Sequence, residues 1–82
     1  MAESTFKVRM RGRAGLEYIE GQKMMAVDSE TLVGPNFDLV IYADSIKRWA
    51  PPHDAEEISE ADLERIRTNI GAALGDLRID WQ

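Results

Sequence analysis

The sequence predicts an α+β domain, in which a small antiparallel or mixed sheet of four to five strands packs on one α-helix in the C-terminal half of the chain. Three observations support this prediction. Apolar and polar residues alternate in several short segments, which is the period of a β-strand. One later segment repeats apolar residues at helical spacing behind a recognisable N-cap. Residues typical of turns separate these segments.

The chain of 82 residues is expected to form a single domain over residues 1–82, because one hydrophobic core suffices at this length. Apolar residues make up 44% of the sequence, which favours a packed core over disorder. The chain has no Cys and one His, so disulfides and bound metals are not expected to support so small a core. Association with a second copy or with another protein is therefore a reasonable expectation.

The first strand is predicted from Thr5 to Arg11, where apolar and basic residues alternate. Its two faces are Phe6, Val8 and Met10 on the apolar side and Lys7, Arg9 and Arg11 on the basic side. We expect an edge strand, because exposed charges oppose pairing between the edges of separate sheets. Gly12 and Gly15 mark the turn that follows.

A β-hairpin is predicted from Leu16 to Asp28, closed by Gly21-Gln22. Gly accepts the positive φ that a type II′ turn requires at its first central position. This turn sets the register, which places Glu20 opposite Lys23, Tyr18 opposite Met25 and Leu16 opposite Val27. The register puts the apolar residues on one face and pairs opposite charges across the strands.

A further strand is predicted from Phe37 to Ala43, after a break at Gly34-Pro35-Asn36. Four of its residues are expected to face the core: Phe37, Leu39, Ile41 and Ala43.

The segment from Asp44 to Asp54 is predicted to be irregular, because Pro51-Pro52 cannot lie within a helix or a central strand. Ile46 and Trp49 are three residues apart. We expect them to share one face of a single helical turn packed over the sheet.

The clearest helix begins after Ser59, a strong N-cap, with Asp62 three residues later in an arrangement like a capping box. Ile58 is expected to pack on Leu63 as a hydrophobic staple. The apolar residues at helical spacing are Leu63, Ile66, Ile70, Ala73 and Leu74. Gly75 is a suitable end for the helix. A closing strand follows, with Leu77, Ile79 and Trp81 on its apolar face.

The charge is distributed unevenly along the chain, which carries −5 in total. Ten carboxylates lie between Met24 and Glu64, against two basic residues, Lys47 and Arg48. A field of this sign favours a basic protein as partner and opposes nucleic-acid binding. The basic stripe of Lys7, Arg9, Arg11 and Arg13 suits a phosphate backbone, but no recognition helix or RNP-like aromatic pattern accompanies it. We expect a solvated strand face or a counterpart to the acidic section in a dimer.

His53 and Asp54 are the only pair that resembles a general base with an orienting acid. Since the chain has no Cys and no nucleophile elbow, an exposed loop residue or a partner contact is favoured, and an enzyme is not expected. The acidic cluster of Glu56, Glu57, Glu60 and Glu64 lacks the spacing and the Gly of a Ca²⁺ loop. It is interpreted as a solvated helix start or as a patch for a basic partner, and no metal or cofactor is expected.

Trp49 and Tyr42 each allow two interpretations. Trp49 precedes the two prolines, where a short rigid segment holds it either in the core or as a contact for a partner. Tyr42 is on the face of its strand opposite to that of Ile41, and it allows the same two interpretations. Neither an apolar run of signal-peptide length nor about 18 uncharged residues in a row occurs, so a cytoplasmic protein without a membrane span is expected.

Several short segments together resemble the small bacterial immunity proteins of the family numbered seventy-four in polymorphic toxin systems. They are Leu16-Glu17-Tyr18-Ile19-Glu20-Gly21, Leu39-Val40-Ile41-Tyr42, Ser45-Ile46-Lys47-Arg48-Trp49 with Pro51-Pro52, and the helix with Ile66, Ile70 and Leu74. The resemblance spans Leu16 to Trp81 and excludes the basic stripe. It implies a single-domain, non-enzymatic protein that binds and blocks a cognate toxin made by the same bacterium.

This function would place the toxin against an acidic surface. The residues that we expect to contact it are Tyr42, Trp49, His53, Asp54, Glu56 and Glu57. The alternative is a protein–protein interaction module or homodimeric adaptor, which would self-associate stably. A third alternative, a small enzyme that uses His53 and Asp54, predicts loss of an activity in His53→Ala.

Overall fold

A five-stranded sheet forms one layer of the fold, and the computed structural model describes residues 6–82. The strands follow one another across the sheet in chain order: β1 (Phe6–Met10), β2 (Ala14–Glu20), β3 (Lys23–Thr31), β4 (Leu39–Ile41) and β5 (Ile79–Trp81). Strands β1 to β4 are antiparallel neighbours, whereas β5 lies parallel to β4. The sheet is therefore mixed. With the helix α1 (Glu60–Ala73), it confirms the predicted α+β class.

Strand β1 is an edge strand, as predicted, and pairs only with β2 within the described sheet. Phe6 and Val8 are partly buried against the core. Met10, at the end of the same face, is 38% exposed. The last residue of an edge strand has a neighbour on one side only and is poorly covered. Thr5, where the strand was predicted to begin, lies outside the described residues.

The hairpin of β2 and β3 has the predicted turn and register. Gly21 has a positive φ, 62°, as the first central position of a type II′ turn requires. Gln22, the second central residue, does not have a positive φ, which also fits this turn type. All three predicted pairs occur: Glu20 with Lys23, Tyr18 with Met25, and Leu16 with Val27.

The expected ion pair within the hairpin is wrong, although Glu20 and Lys23 are opposite each other. Glu20 binds Arg65 of α1, and Lys23 binds Glu56 of the loop before α1. Both partners come from elements packed over the sheet, which strand register alone does not reveal.

Strand β4 is shorter at its start than predicted, and Phe37 is 42% exposed instead of buried. The N–H groups of Asp38 and Leu39 both donate to the carbonyl of Arg78, at 2.8 and 3.2 Å. The chain therefore enters the ladder with β5 only at Leu39.

Strand β4 also ends earlier than predicted. The N–H of Ser45 donates to the carbonyl of Tyr42, and Ala43–Ser45 forms one turn of 3₁₀ helix. Ala43 is half-buried in this turn and not in a strand. The single helical turn of the segment is therefore here, and not at Ile46 and Trp49 as predicted.

We call residues 42–50 the strap, because they lie along the part of β3 that β4 leaves uncovered. Strand β4 pairs only with residues 29–31 of β3. The strap bonds to two further residues of that edge: the Tyr42 N–H donates to the Asp28 carbonyl, and the Ala50 N–H donates to the Met24 carbonyl. Ile46 and Trp49 of the strap are buried, as predicted.

Helix α1 begins with the predicted capping box. The Ser59 hydroxyl accepts from the Asp62 N–H and the Asp62 carboxylate accepts from the Ser59 N–H, both at 3.1 Å. Ile66 and Ile70 face the core, whereas Ala73 is exposed, contrary to prediction. The helix ends before Gly75, as predicted, although Gly75 does not have positive φ.

The core lies between the sheet and α1, closed on one side by the strap. Its buried residues are Leu16, Tyr18, Met25, Val27, Leu39, Ile41, Ile46, Trp49, Ile66 and Ile70. Ile79 and Trp81 of β5 pack against this cluster. Leu77 was expected beside them but is 39% exposed, because it belongs to the turn after α1, where its N–H donates to the Leu74 carbonyl.

Candidate partner-binding surface

The six residues predicted to contact a partner all lie between β4 and α1, in the strap and in the loop that follows it. They differ in accessibility. Tyr42, Asp54, Glu56 and Glu57 are exposed, His53 is half-buried and Trp49 is buried.

Trp49 is part of the core, since only 3% of its surface is exposed. Its ring lies tilted against that of Tyr18, with the centroids 6.2 Å apart. The Nζ of Lys23 lies 5.6 Å from the centroid of the indole ring. The core interpretation of Trp49 is therefore correct for most of the residue. Only the small part that lines a groove beside β3 is accessible to a partner.

His53 is held by Glu56 and not by Asp54, contrary to the predicted pairing. The imidazole Nδ1 lies 2.9 Å from Oε2 of Glu56, and Lys23 binds the other oxygen of this carboxylate. An ionised carboxylate only accepts hydrogen bonds, so Nδ1 carries the proton. The turn that joins the Glu56 N–H to the His53 carbonyl brings the two side chains together.

The carboxylate of Glu56 is neutralised within the chain. Its hydrogen bond from Lys23, followed by that from His53, lowers the pKa of Glu56 below its usual value. Lys23 lies 33 residues before Glu56 in the sequence. No motif near either residue predicted this pair, since Lys23 had been paired with Glu20.

We call residues 54–64 the acidic segment. Most of its other carboxylates form no ion pair within the described part of the chain. Asp54, Glu57, Glu60 and Glu64 are exposed, and none has a cation within 4.0 Å among residues 6–82. Glu60 lies in the first turn of α1, where the helix dipole favours negative charge. Four uncompensated carboxylates thus lie near the start of the helix in sequence.

Tyr42 lies at the other end of the strap and has a separate polar environment. Its hydroxyl donates to Oε1 of Glu30 at 3.4 Å, a long hydrogen bond. Its backbone N–H donates to the carbonyl of Asp28. Within residues 6–82, no hydrogen bond joins the Tyr42 side chain to the acidic segment.

An apolar groove of about 450 Å³ lies where the strap crosses β3. Its lining residues are Ala26, Ser45, Lys47, Arg48, Trp49, Ala50, Pro51 and Asp54. It brings two of the six predicted residues, Trp49 and Asp54, to one place. No pattern in the sequence indicates this groove, because Ala26 and the strap meet only through the tertiary fold.

The basic stripe on β1 is partly neutralised by β2. Arg9 and Arg11 both bind the carboxylate of Glu17, at 3.2 and 2.7 Å. Lys7 and Arg13 are exposed and form no ion pair within the described part of the chain. Two of the four positive charges therefore share one carboxylate of the neighbouring strand.

Neither a metal centre nor a membrane span was identified in residues 6–82. No group of three or more His, Asp or Glu side chains there is arranged to hold a metal ion. Helix α1 is too short and too polar to cross a membrane, and that part of the chain contains no other candidate helix.

Comparison with known proteins identifies a family. No match to the chain was found among curated proteins or among solved structures. A family model, Immunity protein 74, matches residues 7–80. The match includes Lys7, so the basic stripe lies within it, contrary to the expectation from the shorter resemblance. Because the match covers nearly the whole chain, the chain belongs to the Immunity protein 74 family.

Proposed function

We propose that this chain is an immunity protein that binds a cognate toxin and covers its active or substrate-binding surface, without enzymatic activity of its own. The observation that supports this proposal most directly is the family match over residues 7–80. The fold suits such a role, because the exposed loop and strap rest on a packed core that holds them in place.

The distribution of charge supports a basic toxin surface as the target. Asp54, Glu57, Glu60 and Glu64 are exposed and lack internal cations in the described structure. Unpaired carboxylates attract a basic surface at long range and increase the rate of association. A toxin that acts on nucleic acid needs a basic cleft for its substrate, and an acidic protein competes for the same cleft.

The six predicted contact residues divide into two roles within this proposal. Asp54 and Glu57 supply free negative charge, and Tyr42 supplies an exposed aromatic side chain. Glu56 and His53 hold each other, so we propose that they fix the shape of the loop and touch the toxin with the atoms left exposed. Trp49 supports the strap from the core.

The experiment that tests the function is a growth assay in a heterologous bacterium. The gene immediately upstream of this chain in its genome is induced alone, with this chain, and with a variant of this chain truncated after residue 58, which removes α1 and β5. Killing that is relieved only by the full chain supports the proposal. Toxicity that the full chain does not relieve, or an upstream product without toxicity, contradicts it and favours the interaction-module alternative.

A further inference from the structure

Among residues 6–82, Ala26 is the residue of β3 whose outward N–H and C=O both lack a partner. The two-residue turn at Gly21-Gln22 makes Lys23, Met25 and Val27 bond to β2, so alternate residues present their N–H and C=O groups to the opposite edge. These alternate residues are Met24, Ala26 and Asp28.

The strap pairs with the first and last of these residues. The carbonyl of Met24 accepts from Ala50 at 2.7 Å, and the carbonyl of Asp28 accepts from Tyr42 at 2.9 Å. The N–H of Asp28 donates to the hydroxyl of Ser45 at 2.8 Å. For Ala26, which lies between them, no residue from 6 to 82 provides a partner for either the N–H or the C=O.

Ala26, with both of these groups unpaired in the described structure, lines the groove between β3 and the strap. An unpaired strand edge is a template for a further strand, because one residue offers both a donor and an acceptor to an extended segment. In an antiparallel pair, one opposing residue exchanges both hydrogen bonds with it. The gap at Ala26 therefore has room and polarity for one residue of another chain.

The side chains around the gap indicate the chemistry of the chain that would bind there. Trp49, Ala50 and Pro51 provide an apolar wall. Lys47 and Arg48 are exposed, and in the described structure neither has a carboxylate within 4.0 Å. Asp54 is the one carboxylate among the lining residues. Two cations against one anion favour an acidic ligand.

We propose that the groove receives a loop of the toxin that places one residue against the backbone of Ala26 and carries an acidic side chain beside an apolar one. The acidic side chain binds Lys47 and Arg48, and the apolar one packs on Trp49 and Pro51. This inference rests on the proposed function. Since the two cations are the only ones between Met24 and Glu64, they mark one position on an otherwise acidic surface and set the orientation of the toxin.

The test compares two double variants with the same change in charge. Lys47→Glu with Arg48→Glu reverses the cations of the groove. Lys7→Glu with Arg13→Glu reverses two exposed cations of the basic stripe that also lack ion pairs in the described chain. The dissociation constant of each for the product of the upstream gene, made by cell-free synthesis, is measured by surface plasmon resonance, and circular dichroism checks that each variant is folded.

We expect the groove variant to bind about tenfold more weakly than the unmodified chain, as for loss of a central interface contact, and the stripe variant to bind nearly as well. A second measurement does not depend on mutation. The Ala26 amide is expected to exchange its hydrogen about tenfold more slowly in the complex, because it gains a hydrogen bond there. The amide of Gly34, in the loop before β4, serves as an exposed reference.

Equal weakening by the two double variants, or unchanged exchange at Ala26 in a complex that forms, overturns this inference and leaves the proposed function standing. Dimerisation of the unmodified chain that the groove variant abolishes would assign the groove to a second copy and also overturns it. If the unmodified chain does not bind the upstream product, the proposed function itself fails and the inference fails with it.

Discussion

Arg65 and Glu20 form a two-point contact between α1 and the end of β2. The guanidinium donates to the carboxylate from Nε at 2.9 Å and from a terminal nitrogen at 2.8 Å. Its other terminal nitrogen donates to Asp62 at 2.7 Å. These bonds lower the pKa of Glu20 and that of Asp62, and for both carboxyl groups they are the largest cause of the shift. One side chain thereby joins the helix start to a strand that lies 45 residues earlier.

Replacing Arg65 by Lys is expected to destabilise the fold although the charge remains. A Lys ammonium cannot match the two oxygens of Glu20 and reach Asp62 at the same time, because it lacks the planar fork of donors. We expect a loss of about 1 kcal/mol in the free energy of unfolding, measured by urea titration, because the pairs are partly exposed. Arg67→Lys is the control, since Lys can retain the cation–π contact with Trp81. Equal losses in both variants would contradict the assigned role of Arg65.

The buried hydroxyl of Tyr18 makes stability depend on alkaline pH. Burial, as the largest cause, raises the pKa of Tyr18 from 10.0 to about 12. The folded state therefore holds the phenolic proton more tightly than the unfolded state, and the resulting stabilisation is complete below pH 10 and lost as the pH rises to about 12.

Tyr18→Phe isolates this contribution. The variant loses the bonds to Glu20 and Asn69, so we expect it to be about 1 kcal/mol less stable near neutral pH. The difference from the unmodified chain should shrink above pH 10, in denaturant titrations at several pH values. A difference that is constant up to pH 12 would contradict the raised pKa.

Two Gly→Ala substitutions are expected to have opposite signs. Gly21 has φ of 62°, which an L-residue with a Cβ adopts at a cost, so Gly21→Ala should destabilise by about 1 kcal/mol. Gly71 lies within α1 with open space where a Cβ would stand, so Gly71→Ala should stabilise by about 0.5 to 1 kcal/mol. Thermal unfolding of both variants checks this prediction, and shifts of the same sign would refute it.

The capping box should make stability depend on acidic pH. The hydrogen bond from Arg65 and then those at Ser59 lower the pKa of Asp62 from 3.8 to about 2. The stabilisation is therefore present above pH 3.8 and lost as the pH falls through about 2. Asp62→Asn should be less stable than the unmodified chain at neutral pH and nearly equal to it at the acid end.

Ser59→Ala provides a non-titrating comparison for this cap. It is expected to cost about 1 kcal/mol, because the Asp62 N–H loses its acceptor. This cost should vary little between neutral pH and pH 3.8, above the range where Asp62 titrates. If the cost of Asp62→Asn also persists unchanged to pH 2, then the lowered pKa of Asp62 is contradicted.

A single charge reversal in the acidic segment should slow association with the toxin. Glu57→Lys removes a free negative charge from the proposed contact surface, and we expect the association rate constant to fall about fivefold at low salt. Asp76→Lys makes the same change of charge after α1 and should have a smaller effect. The rates are compared by stopped flow at two salt concentrations. Equal effects at both sites would indicate that only the net charge matters.

Glu56 is a poor choice for this test because Lys23 and His53 already bind its carboxylate. Reversing its charge would place a cation against Lys23 and disturb the loop as well as the surface. From the sequence, Glu56 and Glu57 looked equivalent. Only the fold distinguishes them: Lys23 and His53 bind Glu56, whereas Glu57 has no cation within 4.0 Å among residues 6–82.

The local features were predictable from the sequence. The turn at Gly21-Gln22 set the hairpin register, because a two-residue turn leaves one pairing, and Ser59 with Asp62 marked the helix start. The alternation in β1 predicted an edge strand with a basic face. Each of these depends on residues within a few positions of one another.

The tertiary structure decided which distant residues meet. It shortened β4, where Asp38 and Leu39 bond to Arg78, and it directed Glu20 to Arg65 and Lys23 to Glu56. It also laid the strap along β3 and left Ala26 open in a groove. Such contacts depend on how whole elements pack, and a charged side chain has many partners of similar energy along a sequence. Local propensity therefore determined the elements of this protein, and packing determined which groove and which charges lie on its surface.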